Sequence, residues 1–137
     1  MNATRLPFLA VALVCALLGI YLAVSSRGEA RLSRATANLV ADRNPQALAE
    51  LEGLDGEAGL RAAALRGRAY RNSGRLEQAR RAFQTAVRRD PNNWFLQREY
   101  AGVLLARGER AKARARMSRA KALNPRMLLP PGFVDAK

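Results

Sequence analysis

The chain has 137 residues, 49% of them hydrophobic, and carries 24 basic against 11 acidic side chains for a formal net charge of +13. It contains no histidine and one cysteine, which excludes an intramolecular disulfide, a cysteine metal cluster and histidine-based acid–base or metal chemistry. No Gly-rich phosphate loop or pair of acids supplies another reactive constellation, so the composition points away from an enzyme and from any bound cofactor.

Residues 1–5 form a short head whose Arg5 is the one charged side chain in the first 26 residues. The next stretch, LPFLAVALVCALLGIYLAVSS at 6–26, is uncharged over 21 positions. As a helix rising about 1.5 Å per residue it spans about 30 Å, the hydrocarbon thickness of a bilayer. Pro7 falls in the first turn, where its missing N–H costs nothing, and Tyr21 approaches the interface. We read 6–26 as a transmembrane helix of the signal-anchor kind. The competing reading is a cleaved signal peptide, with Ala23-Val24-Ser25 at the peptidase spacing, which would release a soluble exported adaptor. The apolar run exceeds the usual signal core of about 7–15 residues, which favours the anchor.

The flanks give opposing orientation signals. Arg27, Arg31 and Arg34 follow the span and by a positive-inside count hold the domain in the cytoplasm. A five-residue charged head before an apolar span is the ordinary form of an exporting anchor, and long domains translocate largely regardless of charge. The balance tips towards export, placing the soluble part on the periplasmic side of a bacterial-type cytoplasmic membrane.

Residues 27–57 hold four basic and six acidic side chains, a net of −2. Leu32, Ala35 or Thr36, Leu39 and Val40 share one helical stripe, and Asn44-Pro45 reads as an N-cap followed by Pro at the first helical position. Ala47, Leu48, Leu51 and Leu54 make the apolar face of a short second helix, which Gly53, Asp55 and Gly56 break. From 58 onward there are 19 basic and five acidic residues, a net of +14. Four further helices follow: 57–71, then 75–89 after Asn72-Ser73-Gly74, then 94–107 after Asp90-Pro91-Asn92-Asn93, then 109–123 after Gly108. No segment alternates as a strand does, so the class is all-α.

Residues 60–93 overlay 94–127 at a period of 34, pairing Gly74 with Gly108, Ala79 with Ala113, Phe83 with Met117, Ala86 with Ala120 and Pro91 with Pro125. A helix–turn–helix unit of this period resembles the tetratricopeptide repeat. Gly67, Tyr70, Ala79, Phe83, Ala86 and Pro91 stand where that motif has Gly, Tyr, Ala, Phe, Ala and Pro. Ala101, Leu104, Ala113, Met117, Ala120 and Pro125 stand there in the second unit. The departures are Ala63 and Arg66, then Gln97 and Tyr100, at the motif's early aromatic and leucine positions. Because two units bury too little alone, 27–57 is expected to serve as a degenerate capping hairpin. The resemblance implies a transmembrane helix followed by a short α-α superhelical array of about six helices, whose work is binding proteins.

The groove positions implied by the resemblance are Arg61, Arg68, Asn72 and Arg98, with Gly102. Guanidinium forks converging there suit an acidic or carboxylate-bearing partner. The Lys/Asn clamp of chaperone-binding members is not reproduced. The last helix is the most basic, with Arg110, Lys112, Arg114, Arg116, Arg119 and Lys121 forming an outer face for water, anionic lipid or an acidic subunit of a membrane complex. Trp94, Phe95 and Tyr100 read as packing at the repeat junction, which argues against nucleic acid. Pro130-Pro131-Gly132 forbids the family's extra solvating helix. The apolar 128–137 tail, through Leu128, Leu129, Phe133 and Val134, is therefore expected to pack on the last unit or dock into a partner.

Overall fold

The computed structural model describes residues 5–133, with side chains from residue 11 onward except those of Gly56 and Glu57. Among the described residues there are six helices: α1 (Arg5–Val40), α2 (Asn44–Leu51), α3 (Gly56–Asn72), α4 (Leu76–Arg89), α5 (Trp94–Ala106) and α6 (Arg110–Leu123). The membrane-type stretch and the first helix of the array, two elements on the sequence reading, are one helix of 36 residues. Its apolar half stands free of the fold: an 18-residue window of mean hydropathy 1.8 is only 6% buried. Its other half joins the array at once. Gly28 lies against Ala58, where an added Cβ would sit 3.6 Å from that side chain, and Leu32 and Ala35 are buried beside Leu51, Leu54 and Ala62.

The 34-residue period appears in the backbone itself. Helices α4 and α6 begin 34 residues apart, at Leu76 and Arg110, and end 34 apart, at Arg89 and Leu123. In the turn after α3 the Arg75 N–H donates to Tyr70 O at 2.8 Å and Gly74 N–H to Arg71 O at 3.0 Å. After α5 the same pair recurs, from Glu109 to Leu104 O at 2.9 Å and from Gly108 to Leu105 O at 2.9 Å. Both are Schellman turns closed by a left-handed glycine, with φ of 72° at Gly74 and 79° at Gly108. The six-to-one bond appears a third time between α1 and α2, from Arg43 to Asn38 O at 2.8 Å. There Asp42 takes the positive φ of 55°, and its carboxylate accepts from the Asn44 side-chain amide at 2.8 Å. Asn44 is thus the first residue of α2, with Arg43 at the capping position and no side-chain cap. Asn93 does cap α5, its Oδ1 accepting from the N–H groups of Phe95 and Leu96.

The main core lies between α3, α4 and α5. Phe83, the largest fully buried side chain, is 0% exposed and packs with Ala63, Ala79, Leu96, Tyr100 and Leu104. Close approach of α3 and α4 depends on Gly67, where a Cβ would fall 2.7 Å from the Phe83 ring. A second cluster gathers Ala101, Met117 and Ala120 of the last unit around Met127 of the tail. Val40 departs from the expected stripe: it ends α1 at 85% exposure instead of packing inward.

Candidate interaction groove

The first helices of successive hairpins, α1, α3 and α5, line one side of the array, here termed the inner face. Two clefts meet on it. One runs between α1 and α3, bounded by Thr36, Leu39, Val40, Leu65, Arg68 and Asn72. The other, about 510 Å³, lies between α3, α5 and the tail, with Arg71, Arg98, Glu99 and Gly102 facing Leu128, Leu129 and Phe133. Arg71 belongs to both clefts and joins them.

Arg68 lines the first of these clefts and Arg98 the second, and the two converge on a carboxylate that sequence reasoning missed. Glu99 is 8% exposed. Arg71 Nη1 donates to its Oε2 at 2.8 Å, Arg98 Nη2 to its Oε1 at 3.3 Å, and Arg68 stands 3.7 Å away. Three guanidiniums against one carboxylate leave positive charge in excess. Aromatic faces hold the arginines in position: Arg68 lies 4.9 Å and Arg98 5.1 Å from the Phe95 ring centroid, with Arg98 also 5.5 Å from Trp94. Trp94 and Phe95 meet edge-on at 6.0 Å between centroids. Arg61 sits apart from this cluster, paired with Glu29 at 2.7 Å with both side chains well exposed, a geometry that adds little stability. Asn72 is exposed at the open end of the α1–α3 cleft. A Cβ at Gly102 would meet nothing within 4 Å, so the floor of the α5 cleft is open.

In the basic helix Arg116 is half-buried and the other basic residues are exposed, three of them with hydrogen-bond partners. Arg116 lies 5.3 Å from the Tyr100 ring centroid and donates to Gln97 Oε1 at 3.4 Å. Gln97 itself is 2% exposed and donates to Pro91 O at 2.8 Å. Arg119 donates to Asn92 Oδ1 at 2.8 Å, Lys121 to Met127 O at 2.8 Å and Lys112 to Glu109 at 2.7 Å. Arg110 and Arg114 are exposed. In the tail, Met127 is buried and Phe133 packs on both adjoining clusters. Leu128 is 88% exposed and Leu129 36%. Val134 lies outside the described residues.

Away from the clefts, Glu77 ties α4 to the turn after α5. Its carboxylate accepts from Arg80 at 2.8 Å and Arg81 at 3.0 Å, and pairs with Arg107 at 2.8 Å. Hydrogen bonds from Arg80 and Arg81, with the nearby Arg107 charge, hold its pKa down from 4.5 to about 2. A depressed folded pKa gives stability that is present above pH 4.5 and lost as the pH falls towards about 2. Thermal melts across that window should therefore show a shallower acid decline for Glu77→Gln than for the wild type. Parallel declines would show that Glu77 does not carry the linkage.

A family model described as Tetratricopeptide repeat matches residues 61–93. No curated protein shows a significant match to the chain. The matched span runs from the first turns of α3 through α4 to the Asn93 cap of α5, the segment that contains the Gly67–Phe83 contact and the first glycine turn. The match thus identifies one tetratricopeptide repeat, at residues 61–93, within an all-helical array.

Proposed function

We propose that the chain is a membrane-anchored scaffold that receives an acidic segment of a protein partner on its inner face, as an accessory or assembly subunit of a larger membrane complex. The observation that carries the reading is α1. One helix runs from an exposed apolar stretch directly into the array, and among the described residues nothing covers that stretch. A bilayer would cover it, since an uncharged run of about 20 residues is long enough to span. The excess of guanidinium over carboxylate around Glu99 supports an acidic partner, because each guanidinium retains donors beyond those its partner occupies. We place the membrane as a bacterial-type cytoplasmic one, with the array on its periplasmic side.

A second reading is supported by Ala23-Val24-Ser25. Cleavage there would leave Gly28, Leu32 and Ala35 in place, so the array would keep its α1 contacts and act as a soluble exported adaptor. Mass spectrometry of the mature N-terminus together with alkaline carbonate extraction separates the two. The anchor reading expects residues 6–26 retained and the protein in the carbonate-resistant pellet. A mature chain beginning at Ser26 or Arg27 overturns it. Pull-down in mild detergent tests the groove: Arg68→Gln should lower recovery of the partner about tenfold, the equivalent of one charge-assisted hydrogen bond. Undiminished recovery would move the binding surface elsewhere, with Arg110 and Arg114 of α6 next to be tested.

A further inference from the structure

We infer that residues 127–133 are an intramolecular ligand of the inner face, and that the part of the partner replacing them on α5 is an apolar segment with a proline–glycine turn, adjoining the acidic part that the arginines receive. The inference rests on the reading of the inner face as the partner-binding surface, and it adds that the α5 half of that surface is self-occupied while the α1–α3 half stands open.

The tail is held at its two ends and loose between them. At one end Met127 is 5% exposed among Ala101, Met117 and Ala120, and its carbonyl accepts from Lys121 Nζ at 2.8 Å. At the other, Phe133 packs where the two core clusters meet, and its N–H donates to Pro130 O at 3.1 Å. Gly132 makes this seating possible. Its φ is 90°, a conformation that favours glycine, and a Cβ there would come within 2.9 Å of Leu105 Cδ2, so a larger residue would strain the backbone and displace that side chain. Between the two anchors Leu128 and Leu129 turn outward and form the wall that faces Arg71, Arg98 and Glu99 across the cleft.

A segment serving only to cap the array would bury its large apolar side chains, whereas this one leaves Leu128 88% exposed. Pro130 and Pro131 have no N–H to give, and residues 130–133 form a turn closed by the Phe133 N–H to Pro130 O bond with Gly132 at a positive φ, so ordering the segment costs little and the contacts it makes run through side chains. The same properties define a competitor: a second chain with two apolar anchors joined through a proline–glycine turn satisfies α5 in the same way. The chain's own segment wins only through its tether. A short flexible connection gives an effective concentration on the order of millimolar, which an external peptide must overcome.

The test uses a fluorescently labelled peptide of sequence RMLLPPGF, residues 126–133, titrated against the full chain in detergent micelles. It is repeated with the full-chain variants Phe133→Ala and Gly132→Val. Both substitutions lie outside the helices, and retained helical circular dichroism identifies the variants as folded. The expected result is peptide binding at least about tenfold tighter to both variants than to the wild type, from removal of the tethered competitor. Amide shifts should be confined to Arg71, Gly102, Leu105 and their neighbours. Equal affinity for all three proteins, no binding to either folded variant, or shifts elsewhere would each overturn the inference. Because the probe is the tail sequence, the result does not depend on the acidic partner being found. A partner captured equally by wild type and both variants would also overturn the competition, while leaving the inner face as the binding surface.

Discussion

Replacing Phe83 with alanine should destabilise the array by about 3–5 kcal/mol, the usual cost of emptying a fully buried aromatic site, and leave little of the protein folded at physiological temperature. The ring is 0% exposed and contacts both helices of its own hairpin and the first helix of the next through Leu96, Tyr100 and Leu104. Its face rests on Gly67, where a Cβ would fall 2.7 Å from the ring. Urea unfolding of the full chain in detergent, followed by far-ultraviolet circular dichroism, measures the loss. A loss under about 1 kcal/mol would mean that the site collapses on itself and that the ring does not organise the core. Adding a methyl at Gly67 tests the same contact from the other side. Gly67→Ala alone should cost about 1–3 kcal/mol through overpacking. Combined with Phe83→Leu it should cost less than the two single losses together, the non-additivity expected of residues in direct contact.

Removing the carboxylate of Glu99 should have the second largest effect. Breaking a buried ion pair costs about 3–5 kcal/mol when the abandoned charge is fully enclosed. Here the guanidiniums of Arg68, Arg71 and Arg98 keep roughly a third of their side-chain surface in water, so solvent screens part of that cost. We expect about 1–3 kcal/mol for Glu99→Ala, with a distinctive salt response. With the internal anion gone, three arginines face one another, and sulfate should raise the melting temperature of the variant more than that of the wild type. Equal sulfate responses would show that the three arginines reorganise into solvent when Glu99 is lost. Glu99→Gln should lie between the two, since its amide oxygen still accepts hydrogen bonds without neutralising charge.

The repeat was legible in the sequence because it depends on local rules. Glycine at the left-handed turn position, alanine at close helix contacts and proline after the second helix each state a backbone or packing requirement, and Gly74, Ala79 and Pro91 meet theirs. Two features were not legible, for different reasons. The join between the apolar stretch and the array looked like a boundary because charge begins at Arg27 and a glycine follows. The helix instead runs unbroken through Gly28, which packs beside Ala58. The Glu99 cluster was missed because its partners Arg71 and Arg68 come from α3, two helices earlier, and an ion network across units leaves no spacing to read. The tail was half legible: its apolar character and prolines excluded a capping helix, but which residues point inward depends on contacts with distant residues, as with Met127 among Ala101, Met117 and Ala120.

The unbroken course of α1 also has a rotational consequence. A flexible linker would let the array turn freely about its attachment, but a helix transmits phase. Each residue inserted between Ser26 and Arg27 would swing the inner face about the helix axis by about 100° and raise it by about 1.5 Å. One added alanine would aim the arginine cluster at a different azimuth with every side chain of the array intact. Four would return it to within about 40° of the original heading. Partner capture plotted against insertion length should then oscillate with the helical repeat, a signature of a scaffold whose bearing is set by the surface that holds its apolar half.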